Sequence, residues 1–318
     1  MTDRIPVSLV LGSGGARGLA HIGVIRALRD DGRFEVRSIT GTSIGALIGG
    51  LHAGDKLELY TDWVLGLSRA DIWNLLDFSF TLTGLFEGER LMAKLADLVG
   101  EARIEDLPIP FTAVASDIER RQEVWLSEGS LFEAIRASIA IPGLFTPVER
   151  DGRLLVDGGL LSPLPLAPAQ RQTVRRTIAV SLNGPEADPA TASHARPALQ
   201  GASSEEDRGD EPGALGRWLS RAQESLGLGN GNGAAGRKDV DALDIIAKSV
   251  EAMQDRIARF QLAAYRTDLL IEIPVDACGI LDFHLAKEMI ELGYRKATEV
   301  LEHDRAGRPG APFSQARL

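Results

Sequence analysis

The chain carries a single cysteine, Cys278, in 318 residues. One thiol excludes a disulfide framework and any zinc cluster built on cysteine. Following the apolar run 269–275, it is expected to be a small buried apolar residue. Basic residues are in deficit: 35 Lys and Arg against 45 Asp and Glu give a formal net charge of −10. An acidic surface repels phosphate backbones, and no Lys/Arg run reverses that locally, which argues against nucleic acid as a partner. Long hydrophobic runs are also missing. The most apolar stretch, 44–53, has about half the ~20 residues of a membrane-crossing helix and contains three glycines and a histidine. The opening residues hold no apolar region of the length a secretory signal uses. The expectation is a soluble, cytoplasmic chain whose contact with a membrane, if any, is peripheral.

What is present is a globular composition, 44% hydrophobic and 25% charged, over a length that fits one large or two ordinary domains. Residues 7–11 form a short apolar run ending in Gly12-Ser13-Gly14-Gly15, and Ile22, Val24, Ile25 and Leu28 then follow a helical period. The same strand, glycine turn and helix recur at 36–39, 41–43 and 44–53. Two such units in succession indicate an α/β fold on a largely parallel sheet. Further strands are expected at 111–115, 123–126, 154–156, 177–182 and 269–275, and helices at 89–99, 131–137 and 239–266. Residues 184–238 are rich in Gly, Ala, Pro, Ser and charge, and read as a disordered insertion. Within them Leu215, Trp218, Leu219, Ala222 and Leu226 share one helical face that suits docking on the parent domain, a partner or a membrane interface. The tail 304–318 reads as disordered.

Gly41-Thr42-Ser43-Ile44-Gly45 is a G-x-S-x-G pattern. Between strand and helix, such a turn lifts the serine Oγ clear of the backbone and aims a helix N-terminus at the reacting oxygen. Chance alone gives about 0.2 such matches in a chain of this composition, so position rather than pattern carries the weight. A glycine-rich turn that only packs a helix on a sheet is the competing reading.

A serine nucleophile also needs an oxyanion site and a base. Gly12-Ser13-Gly14-Gly15-Ala16-Arg17-Gly18 lies at the other strand-to-helix turn, where consecutive amides can converge on one point. A dinucleotide loop fails on spacing, because the sixth residue from Gly12 is Arg17, and no G-K-[ST] makes a phosphate loop. Arg17 suits either an anionic group or a surface ion pair. Of five histidines, His194 falls in the insertion and His21 and His52 lie inside helices. His284 and His303 have no motif around them. A carboxylate is the alternative base: 154–156 is an apolar strand running into Asp157-Gly158-Gly159. Burial there would raise the proton affinity of Asp157. An ordinary Asp-Gly turn is the plain alternative.

These motifs in this order resemble the patatin-like phospholipase family: GSGGARG as its glycine-rich motif, GTSIG as its elbow, DGG as its aspartate motif. Arg136-Ala137-Ser138-Ile139-Ala140-Ile141-Pro142-Gly143 and the run through HIGVIRAL strengthen the likeness, most to the bacterial and neuropathy-target-esterase-like branch. It covers 5–182 well and 239–300 more loosely. The resemblance implies a three-layer α/β/α fold formed by 1–183 and 239–303. It implies Ser43 as nucleophile, Asp157 as base, and the N–H groups of Gly14, Gly15 and Ala16 as oxyanion hole. Gly12, Arg17, Gly18, Gly41, Gly45, Gly158 and Gly159 are the supporting motif positions. The implied reaction is hydrolysis of lipid carboxylic esters, phospholipid or lysophospholipid, through an acyl-enzyme, with no cofactor or metal. Ser13 stands where a glycine is frequent, and Gly12 where plant members carry aspartate. Residues 75–86, apolar and aromatic, are expected to form a lipid-facing lip, although a core segment would look the same. The charge of −10 favours single-chain lipids over anionic bilayers. A non-catalytic regulatory or scaffolding protein on the same fold, binding a partner through the insertion, is the rival reading; a nucleotide-binding enzyme comes third.

Overall fold

The strand–turn–helix repeats at the start of the chain continue into a sheet of eight strands in the computed structural model, which describes residues 4–75, 89–171, 174, 176–186 and 242–307. The insertion beyond residue 186, with its Trp218 island, and residues 76–86 of the expected lip fall outside the described residues. The chain divides into two compact units, one of Met1–Ala187 with Gln254–Leu318 and one of Asp188–Met253. In the second, the described residues belong to the opening turns of one helix.

The strands are β1 (Ile5–Leu11), β2 (Phe34–Thr42), β3 (Phe111–Asp117), β4 (Gln122–Leu126), β5 (Val148–Arg150), β6 (Arg153–Asp157), β7 (Arg176–Gly184) and β8 (Leu269–Pro274). They lie in the order β5-β6-β3-β2-β1-β7-β8, with β4 also paired to β3. From β3 to β8 every neighbour along this path is parallel, while β4, β5 and β6 pair antiparallel. The helices are α1 (Ala20–Asp31), α2 (Ile44–Ala53), α3 (Leu57–Leu65), α4 (Arg69–Leu75), α5 (Glu89–Val99), α6 (Leu131–Ser138), α7 (Leu166–Ala169), α8 (Ala242–Ala264) and α9 (Ala286–Arg305).

Alternate residues of the central strands enter different cores. Leu9 and Leu11 of β1 and Ile178 and Val180 of β7 join the larger cluster, whereas Val10 and Ala179 join a second with Leu166 of α7 and Ala258 of α8. Both sheet faces are therefore covered, as parallel sheets require, and the architecture is three-layer α/β/α. Among the described residues no helix is long and apolar enough to cross a membrane.

Besides β5, α3, α4 and α7, none of which was among the expected elements, two features depart from the expectations. Helix α9 was not legible as a helix, and it runs to Arg305, into the stretch expected to be disordered. Asp304 is held there by Arg33 at 2.9 Å and Arg176 at 3.0 Å. Residues 308–318 lie outside the described residues. Cys278 is half-buried rather than fully enclosed, with burial pushing its thiol up to about 12.

Candidate active site

The turn from β2 to α2 carries Ser43 at φ 56°, ψ −124°, a backbone conformation that costs a residue with a Cβ of order 1–3 kcal/mol. Close packing on both sides enforces it. A Cβ on Gly41 would sit 2.3 Å from the Gly45 carbonyl oxygen, and one on Gly45 would sit 2.2 Å from the Leu11 oxygen. The two glycines of the pattern are thus steric requirements of the turn. Gly45→Ala is expected to lower stability by about 2–3 kcal/mol, a drop of roughly 3–5 °C in Tm for a chain of this size. A thermal melt matching the parent would show that the α2–β1 approach can relax.

Ser43 is 5% exposed. Its backbone N–H donates to Ser138 Oγ at 2.9 Å, and that hydroxyl donates in turn to the Val114 carbonyl at 2.6 Å. Ser138 therefore ties the elbow to β3, a role not read from the sequence. The available signal was a serine closing the otherwise apolar buried face of α6, made by Leu131, Ala134, Ile135 and Ala137.

Asp157 ends β6 in register with Ala115 of β3. Its Oδ2 accepts the Ser43 hydroxyl at 2.5 Å, and its Oδ1 accepts the Gly159 N–H at 2.6 Å. A Cβ on Gly158 would lie 2.1 Å from the Val114 oxygen, so glycine there lets the turn press against β3. Burial pushes the Asp157 carboxyl up to about 6, against the hydrogen bonds from Ser43 and Gly159 that favour its anion. Among the described residues no histidine hydrogen-bonds Ser43. His284 Nδ1 lies 4.0 Å from Asp282, His303 is exposed near the end of α9, and His194 is outside the described residues.

The glycine loop lies beside this pair. The Gly12 N–H donates to the Val180 oxygen at 3.0 Å and the Ser13 N–H to the Pro163 oxygen at 2.8 Å. The Ala16 N–H, expected to join the oxyanion hole, instead donates to the Ile280 carbonyl at 2.8 Å. The N–H groups of Gly14 and Gly15 take no part in these bonds. Gly15 takes φ +58° and lines the same cavity as Ser43. Arg17 is buried, and its Nη1 donates to the Val275 oxygen at 2.5 Å. His21 Nε2 pairs with the Gly12 carbonyl at 2.9 Å. Desolvation lowers its pKa to about 4, so the neutral ring donates that bond and fixes the first residue of the loop. Gly18 brings the loop within reach of α2, where a Cβ would meet Ile44 at 2.1 Å.

Ser43, Gly15 and Ile44 stand at one side of a cavity with about 760 Å³ of empty space, its open mouth included. Its walls come mainly from α2, α3, α4 and α5 and from the segments after α6 and before α9, through residues such as Leu47, Val64, Leu95, Ile141 and Phe283. Leu75, the one described residue of the expected lip, is among them.

The Patatin-like phospholipase family model matches residues 9–169. An NTE family protein of Mycobacterium tuberculosis, itself uncharacterised, is 40% identical across 93% of this chain and 91% of its own length. Patatin-like phospholipase domain-containing protein 7 of Mus musculus is 34% identical across 55% of this chain and 13% of its own length. Among solved structures, VipD from Legionella pneumophila shares the fold, with a TM-score of 0.51 at 14% identity over 94% of this chain and 67% of that one. The family pattern spans β1 to α7, including the elbow and the Asp157 turn, and the likeness to the mycobacterial protein extends through nearly the whole sequence: the chain belongs to the patatin-like phospholipase family, among its NTE-type members.

Proposed function

We propose that the protein hydrolyses carboxylic esters of lipids, phospholipid or lysophospholipid, with Ser43 as nucleophile and Asp157 as its base. The observation that carries this reading is the 2.5 Å hydrogen bond from Ser43 Oγ to Asp157 Oδ2 beside a cavity walled by hydrocarbon. Ser43 Oγ attacks the ester carbonyl carbon while Asp157 takes its proton. The carbonyl oxygen becomes an oxyanion facing the N–H groups of Gly14 and Gly15. Collapse expels the alcohol, which leaves with the proton from Asp157, and the acyl group stays on Ser43. Water then attacks the acyl-enzyme, giving its proton to Asp157, which returns it to the departing Ser43 Oγ as the fatty acid is released. The acyl chain occupies the cavity, and Ile280, which lines it and is 45% exposed, offers an apolar rim to the incoming lipid.

Labelling with a fluorophosphonate probe tests the nucleophile. A single adduct mapped to Ser43 and absent from Ser43→Ala is expected. A folded protein that takes no label would instead favour a regulatory role for the same fold.

A further inference from the structure

The cavity wall departs from hydrocarbon at Tyr60. This residue of α3 is 2% exposed and lines the cavity, yet its hydroxyl has no hydrogen-bond partner among the described residues. Its ring is held against Trp63, with centroids 5.6 Å apart and planes at 55°. Buried tyrosine hydroxyls ordinarily find a partner, because leaving one unpaired costs free energy. This hydroxyl is also not sealed in: it is absent from the group of fully enclosed orphan atoms that includes Thr42 Oγ1. An ordered water is a poor partner, since it needs two to four polar contacts. The neighbouring lining offers mainly Leu47, Val64, Leu67 and Ile72.

We infer that Tyr60 is a specificity determinant whose hydroxyl bonds an oxygen substituent, hydroxyl or keto, carried part-way along the acyl chain. The inference rests on the ester-hydrolase reading above. An acyl chain anchored at Ser43 carries each of its carbons to a set depth, and the Tyr60 ring is fixed by its neighbour. The hydroxyl therefore meets one region of the chain and not others. An oxygen at that depth pairs with Tyr60, whereas a plain chain leaves the phenol unpaired and loses that bond.

The test uses p-nitrophenyl dodecanoate and a series of hydroxydodecanoate esters with the hydroxyl moved along the chain, on wild type and Tyr60→Phe. Wild type is expected to favour one or two hydroxyl positions over the plain ester by about tenfold in kcat/KM. In Tyr60→Phe that ratio falls to about one, whatever the absolute rates do. A flat wild-type series, as a resident water on Tyr60 would produce, overturns the inference. So does a positional preference that survives in Tyr60→Phe. In either case turnover of the plain ester leaves the hydrolase reading standing. No turnover of any member by folded wild type, together with no fluorophosphonate adduct, overturns both.

Discussion

Asp157→Asn is expected to lower kcat by about 10²–10⁴-fold while raising the melting temperature at neutral pH. The amide keeps the size of the carboxyl but cannot take the Ser43 proton. The gain in stability follows from the buried charge. The native carboxyl titrates at about 6, against an ordinary 3.8. Between those values the folded protein keeps a proton that the unfolded chain has released, so the stability this group contributes falls as the pH rises. Above about 6 the loss is complete and on the order of 3 kcal/mol, at 1.36 kcal/mol per pH unit. Asparagine has no charge to desolvate. Its Tm at pH 7 is expected to lie above wild type by roughly 4–6 °C, with the difference closing as the pH approaches 4. A mutant that keeps activity within tenfold, or melts lower at pH 7, would remove Asp157 from the role of buried base.

The second large effect is on the pH profile. Only the ionised carboxylate accepts the Ser43 proton, so kcat/KM is expected to be half-maximal near pH 6 and to fall about tenfold per unit below it. Between pH 7 and pH 4 the loss is about a hundredfold. The measurement is kcat/KM on a soluble ester across pH 4–8, for wild type and for His284→Ala and His303→Ala. A limb that persists in both histidine variants identifies the carboxylate as its source. A profile level down to pH 4 would be incompatible with it. His21 contributes no competing limb near 6, because desolvation holds it neutral down to about 4.

Much of the fold was readable because its signals are local. The helix boundaries at Ile44–Ala53 and Glu89–Val99 follow from hydrophobic period and flanking glycines. Strand ends drifted by one or two residues at most positions; Phe34–Thr42 begins two residues before and ends three residues after the expected 36–39, with charged Glu35 and Arg37 interrupting the apolar run. Helix α9 escaped for a different reason. Its buried face includes Ala286, Gly293 and Ala297 as well as larger residues, so the stretch is polar on average although its helical period is intact. Small residues are what the packing needs: a Cβ on Gly293 would lie 2.0 Å from the Ala20 oxygen, and one on Gly23 would lie 1.9 Å from the Ile290 oxygen. Helices α1 and α9 meet backbone to backbone, and that approach is visible only once both are placed.

The candidate site divides along the same line. A glycine pattern names its own steric purpose, so Gly41, Ser43 and Gly45, and likewise Asp157 and Gly158, could be picked from the chain, with the family resemblance assigning their roles. What fills each remaining hydrogen bond depends on atoms brought in from far along the sequence. Ile280 takes the Ala16 amide, Ser138 holds the Ser43 amide, and Val275 receives Arg17. The cavity belongs to this second class, since α3, α4 and α5 wall it with side chains that look in sequence like ordinary core. Local backbone demands and periodicity are written into neighbouring residues, and the sequence by itself determined the α/β class and the Ser–Asp pairing of motifs. Hydrogen-bond partners and enclosed space are properties of distant segments packed together, and only the tertiary structure decided which residues receive those bonds and that Tyr60 lines the cavity beside Ser43.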